Sequence, residues 1–172
     1  FILDEIVTGF RFRYGCLYTT MKLDPDIVTL GKIAGGGMAI GVLCGKKEIM
    51  EYADTTGKKK SERSYIGGGT FSANPTSMTS GYATLNYLRT QKAVYQKINS
   101  LGDYARKELE KVFDGKVVVT GKGSLFMTHF LKNNITEITN STDVAKCDSR
   151  MLQKYHFKMI SQDGIFFLPG KL

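Results

Sequence analysis

The stretch Ile27-Val28-Thr29-Leu30-Gly31-Lys32-Ile33-Ala34-Gly35-Gly36-Gly37 constrains the fold more than any other part of the chain. An apolar run rich in β-branched side chains meets a glycine, which reads as a buried strand followed by a sharp turn. Lys32 then stands at the tip of that strand, and the glycines after it leave little side-chain bulk around its amine. A lysine there is poor core material and well suited to holding a ligand, although a solvated loop lysine is the commoner outcome.

A second strand end carries charge. Phe1-Ile2-Leu3 reads as a buried strand that delivers Asp4 and Glu5 at its carboxyl end, and in open α/β sheets ligands sit beyond that end of the strands. Glu5 suits a structural ion pair and is given no chemistry. Residues 9–25 read as a mixed loop, 39–45 as a third buried strand, 46–52 as a short helix and 54–69 as an exposed polar loop.

Asn74 and Pro75 mark a helix start, with Asn74 as cap and Pro75 at the first helical position, where its missing N–H costs nothing. That helix is expected to reach about Arg89, with Ser77, Ser80, Gly81 and Ala83 small enough for close packing. A second helix over about 92–113 repeats Val94, Ile98, Leu101, Ala105, Leu109 and Val112 at three- and four-residue steps, a packing face. Strands at 116–120 and 124–131 flank a Gly121-Lys122-Gly123 turn, and a polar loop with Asn133, Asn134 and Asn140 follows. One helix bearing Val144, Cys147, Met151, Tyr155 and Met159, then a last strand over 164–168, complete an α+β tail. Composition changes near Thr90, which divides the chain into 1–90 and 91–172.

Several functions are disfavoured. Cys16, Cys44 and Cys147 are odd in number, with no C-x-x-C pair, so they suit a reducing compartment and support neither a disulfide framework nor zinc. His129 and His156 are too isolated to form a metal site. No apolar run approaches the roughly 20 residues of a membrane span. The net charge of +8 is partly concentrated in Lys58-Lys59-Lys60-Ser61-Glu62-Arg63. With no nucleic-acid motif beside it, it reads as a solvated basic surface or an attraction for anionic substrates. Gly31-Lys32 lacks the upstream glycine and following hydroxyl of a Walker-A loop, and the Gly35–Gly41 spacing is one residue out for a dinucleotide fingerprint. The chain opens at Phe1 and stops at Leu172 in or beside strand-like runs, as expected of a piece of a larger protein.

One constellation remains: a strand-end carboxylate at Asp4, a strand-end amine at Lys32, and Gly69-Thr70 before a helix. Pyridoxal 5′-phosphate needs these together, because it binds a lysine as a Schiff base while an acidic partner keeps its ring nitrogen protonated. Its phosphate takes hydroxyl and backbone N–H donors.

These residues also resemble a known family. Phe1-Ile2-Leu3-Asp4-Glu5-Ile6-Val7-Thr8-Gly9-Phe10-Arg11, Asp24-Pro25-Asp26 through Gly37, and Gly69-Thr70-Phe71-Ser72-Ala73-Asn74-Pro75 are similar to class III aminotransferases, as is the 28-residue step from Asp4 to Lys32. Within the family, Thr8-Gly9-Phe10-Arg11 and the glycine triplet look most like the glutamate-1-semialdehyde 2,1-aminomutases. Those enzymes carry an apolar residue where ornithine- and acetylornithine-type members carry Gln, and here it is Val7. The resemblance is strong over about 1–90 and weaker, though collinear, to the end.

The resemblance implies an α/β fold of fold type I, aspartate-aminotransferase-like. Residues 1–90 would be the C-terminal part of the large cofactor-binding domain, and 91–172 part of a smaller α+β C-terminal domain. It implies pyridoxal or pyridoxamine 5′-phosphate as cofactor, with Asp4 at the pyridine nitrogen, Lys32 as the Schiff-base lysine and proton shuttle, and Val7 against the ring. Thr70, with the Gly69 backbone, would bind the phosphate of the neighbouring subunit's cofactor, which implies a homodimer. A cytoplasmic aminomutase acting on a small amino-acid-like substrate follows, with no metal, nucleic acid or membrane involved. The alternatives are a transaminase for another amine or β-amino acid, and an inactive fragment lacking the amino-terminal half of its pocket.

Overall fold

In the computed structural model, which describes residues 1–62, 64, 69–132 and 135–167, the strand that precedes Lys32 is the middle one of three. Strands β1 (Ile2–Asp4), β2 (Ile27–Gly31) and β3 (Gly41–Gly45) form a sheet in the order β1-β2-β3. β1 and β2 are parallel, with Asp4 opposite Thr29; β2 and β3 are antiparallel, with Gly31 opposite Gly41. Val28 and Leu30 share one face of β2 and are buried. The expectation of three buried strands holds only for β2. Ile2 is 67% exposed and most of β3 is open to solvent, because each of these strands has a neighbour on one side only among the described residues.

The segment between β1 and β2, expected to be all loop, contains the one-turn helix α1 (Tyr18–Met21). After β3 come α2 (Lys47–Met50) and a short 3-10 turn, Glu51–Ala53. Helix α3 (Pro75–Thr90) starts where the local signals place it. The Asn74 side chain accepts from the Thr76 and Ser77 N–H groups at 3.0 and 3.2 Å, with Pro75 at the first position. α3 packs against the 3-10 turn Lys32–Gly35.

The chain divides into two compact units, Phe1–Gln96 and Lys97–Leu172. The division falls in the first turn of α4 (Ala93–Val112). In the second unit β4 (Val117–Lys122) and β5 (Leu125–Phe130) form an antiparallel hairpin, followed by α5 (Ser141–Lys146) and α6 (Ser149–Asp163). The hairpin turn is Gly123-Ser124; the ladder continues through Gly121 and Lys122, which had been expected in the turn. Val117, Val119 and Phe130 on one hairpin face pack with Leu109 and Phe113 at the end of α4 and with Leu152 and Tyr155 of α6. Phe113, Phe130 and Tyr155 meet pairwise edge to face at 5.2–5.6 Å between ring centres, a preferred aromatic geometry.

Three expectations change here. On α4 the packed face runs through Ile98, Ala105 and Leu109, while Leu101 and Val112 are exposed. The single helix expected after 140 is two, broken at Cys147, because the Asp148 side chain accepts the Met151 N–H and starts a new helix. Residues 164–167 form no strand; Gly164 ends α6 in a left-handed conformation, and Phe167 packs on Tyr155 and His156. Asn133, Asn134 and Leu168, and Arg63 with 65–68 of the polar loop, lie outside the described residues.

His129, 5% exposed on β5, shares a 2.8 Å hydrogen bond between its Nε2 and the Thr120 hydroxyl. Burial holds its pKa below the ordinary value of 6.5, because the site does not replace the water an imidazolium loses. The unfolded chain therefore binds the proton more readily than the folded one. Stability is complete above about pH 6.5, declines as the pH falls through that value, and levels off once the folded histidine is protonated. The unfolding free energy obtained from urea titrations should drop between pH 7.5 and 5.5, by no more than about 1.4 kcal/mol per pH unit from this group. His129→Gln should flatten that slope; an unchanged slope would assign the acid sensitivity to other groups.

Candidate active site

Lys32 and Asp4 occupy the same end of the sheet because β1 and β2 run parallel and both stop there. Asp4 closes β1 opposite Thr29, and Lys32 follows the last residue of β2 three positions later. The Thr29 hydroxyl donates to Asp4 Oδ1 at 3.2 Å, and the Ile6 N–H donates to the same oxygen at 2.9 Å. Both donors are neutral, so they orient the carboxylate without cancelling its charge. Oδ2 receives no hydrogen bond from a described residue. Thr29 was not singled out from the sequence. Its role depends on a cross-strand pairing of residues 25 apart, which no local pattern displays.

Adjacent residues in a strand face opposite ways, and Asp4 and Glu5 divide accordingly. Asp4 is exposed, whereas Glu5 is 2% exposed on the other face. Glu5 makes no ion pair with a described residue, contrary to the expectation. It accepts instead from the Leu17 and Tyr18 N–H groups at 2.7 and 2.8 Å and from the Thr8 hydroxyl at 3.1 Å. Those bonds satisfy the free amides at the start of α1 and tie the long β1–β2 connection to the sheet. Glu5 also helps burial push the nearby Cys16 thiol above its ordinary pKa, which disfavours a thiolate nucleophile there.

Lys32 is exposed, and its amine makes no ion pair or hydrogen bond with a described residue. Its backbone has φ = 46°, the left-handed region, which costs a residue with a Cβ roughly 1–2 kcal/mol. Val7 lies in the turn after β1 and is half-buried. Gly69 and Thr70 are exposed and line an open pocket with Ile40, Val42, Phe71 and Ser77. The parallel pairing of β1 and β2 brings Asp4 and Lys32 to one end of the sheet; neither they nor Val7 line the pocket of Gly69 and Thr70, whose lining includes Gly41, the partner of Gly31 beside Lys32.

These residues fit the cofactor that the sequence pointed to. A carboxylate held by neutral donors with one oxygen open suits a protonated ring nitrogen, and an uncommitted amine at the same sheet end suits a carbonyl carbon. The Thr70 hydroxyl has no hydrogen-bond partner among the described residues, and a Cβ added at Gly69 would meet nothing within 4 Å, so both are open to an anion. Among the described residues no group of three or more His, Cys, Asp or Glu side chains could hold a metal ion, and no helix is long and apolar enough to cross a membrane.

The model of the family described as aminotransferase class-III matches residues 1–168. A glutamate-1-semialdehyde 2,1-aminomutase from Sulfolobus acidocaldarius is 35% identical over 99% of this chain, which spans 39% of that relative's length. A solved β-phenylalanine aminotransferase from Variovorax paradoxus is 29% identical, with a TM-score of 0.76 over 98% of this chain and 37% of its own. A transaminase solved with PLP bound is 26% identical, with a TM-score of 0.75 over 98% of this chain and 37% of its own.

Proposed function

The chain belongs to the class-III aminotransferases, has their fold type I α/β architecture, and on that premise we propose that it carries the cofactor lysine of a glutamate-1-semialdehyde 2,1-aminomutase. The observation that carries the reading is the placement of Asp4 and Lys32 at the carboxyl ends of two adjacent parallel strands, with Thr29 orienting the carboxylate. The name borne by the Sulfolobus relative supports the choice within the family. Residues 1–90 are read as the C-terminal part of the large domain and 91–172 as part of the small C-terminal domain.

Pyridoxal or pyridoxamine 5′-phosphate, when bound, supplies an electron sink for the carbon that loses a proton. Asp4 holds the proton at the ring nitrogen, with its orientation fixed by Thr29 and the Ile6 N–H. Lys32 Nζ would hold the cofactor at its aldehyde carbon, and as a free amine would take up and return the proton of the substrate carbon. Val7 would pack against the ring and keep water from it. Thr70 and the Gly69 N–H bind the phosphate on the neighbouring subunit, which makes the working molecule a homodimer, placed in the cytoplasm.

The full-length protein would convert glutamate 1-semialdehyde, without a keto-acid acceptor, into the isomer with its amino group on the terminal carbon. If turnover appears only when a keto acid is supplied, the protein is a transaminase. That second reading, with a β-amino acid as donor, draws on the structural likeness to the β-phenylalanine aminotransferase. The chain spans 39% of the Sulfolobus relative's length, and if the 172-residue chain alone shows neither activity while a longer protein does, the piece needs the remaining residues to complete its pocket.

A further inference from the structure

We propose that helix α3 positions Lys32: the Ser77 and Ser80 hydroxyls and the bare Cα of Gly81 hold the turn after Lys32 in the conformation that fixes where its amine stands. The inference rests on Lys32 being the cofactor lysine. It starts from the left-handed backbone of Lys32, φ = 46°. Such a conformation persists in a residue with a side chain only where the surroundings over-determine it. The segment that follows cannot do this by itself, since Gly35-Gly36-Gly37 loosens the chain. The restraint has to come from outside the turn.

α3 supplies it through four contacts. Ser80 Oγ donates to the Gly36 carbonyl at 2.8 Å, and Ser77 Oγ donates to the Ala39 carbonyl at 2.8 Å. A Cβ on Gly81 would lie 2.5 Å from the Ala34 carbonyl oxygen, so helix and turn meet backbone to backbone. Gly36 sits at φ = 60°, and a Cβ there would lie 2.3 Å from the Thr84 hydroxyl. Carbonyls at positions 34, 36 and 39 are thus held against one helix face.

The chemistry of the two serines points the same way. A serine inside a helix ordinarily bonds back to its own helix or faces solvent, and alanine is the better helix former. Ser77 and Ser80 instead turn outward to the carbonyls of another segment. Ser77 is only 2% exposed. Neither hydroxyl is placed to touch the reacting atoms, so these are positioning residues acting through Lys32.

The test uses the full-length protein with its cofactor and compares wild type, Ser80→Ala, Ser80→Thr and Gly81→Ala. Four quantities are read: thermal midpoint, kcat and KM, the pH titration of the bound cofactor's visible absorbance, and borohydride labelling of Lys32. Ser80→Ala should still fold and still label Lys32. Its kcat should fall about 10- to 100-fold, the scale of a small misplacement, with little change in KM and a displaced absorbance titration. Ser80→Thr, which restores the hydroxyl, should recover both kcat and the titration. If Gly81→Ala does not fold, the Ser80 pair still decides. A Ser80→Ala protein that labels Lys32 and matches wild type in kcat and titration, with only its thermal midpoint lowered, overturns the positioning role and leaves the functional reading standing. A wild-type protein that takes no label on Lys32 overturns both.

Discussion

Lys32→Ala should reduce turnover of the full-length protein to background, a loss on the order of 10⁶-fold, the scale at which removing a covalent catalytic group acts. No nearby group in the described structure offers a substitute. Asp4 and Thr29 at the same end of the sheet provide an acceptor and a hydroxyl, neither of which matches an amine in attacking a carbonyl carbon. The adjacent residues Gly31 and Ile33 carry no titratable side chain. Binding of the cofactor should survive in part, because Asp4 and the phosphate donors do not depend on the lysine. The variant should therefore retain pyridoxal phosphate reversibly, lose it on dialysis, and acquire no borohydride-stable adduct. Measurable turnover in a folded Lys32→Ala protein would remove Lys32 from its role.

Asp4→Asn should slow turnover by about 10³-fold, within the range that positioned proton-holding side chains contribute, while leaving Lys32 able to take the borohydride label. An ionised carboxylate is acceptor-only, and its charge favours a proton on the ring nitrogen. An amide of the same shape keeps one acceptor but lacks that charge. The Thr29 hydroxyl and the Ile6 N–H both donate to Oδ1, so the asparagine is expected to turn its carbonyl oxygen toward them. Its NH₂ group then faces where Oδ2 faced, a donor in place of an acceptor. The defect should therefore lie in kcat more than in KM. A normal rate would mean that the carboxylate is structural, like its neighbour Glu5.

What could be read from the sequence was local. The strand ending at Gly31, the amine beyond it and the Asn74-Pro75 start of α3 each rest on contiguous residues whose preferences agree with the fold. What escaped was set by contacts across the chain. α1 is a single turn that no periodicity of four residues could reveal, and it is held by a carboxylate 12 and 13 residues away. Thr29 acquires its role only through parallel pairing with β1. The exposure of β1 and β3 could not be read from apolar composition, since burial depends on what lies on either side of a strand. The break at Cys147 did have a local signal, the capping Asp148, which an apolar stripe spanning both helices obscured.

The most direct measurement is the site of covalent cofactor attachment in the full-length protein. After incubation with pyridoxal 5′-phosphate and reduction with borohydride, the modified peptide should be the one that joins β2 to the glycine turn, with the added mass on Lys32. A stable adduct confined to any other lysine, or no adduct on a folded full-length chain, would contradict the account.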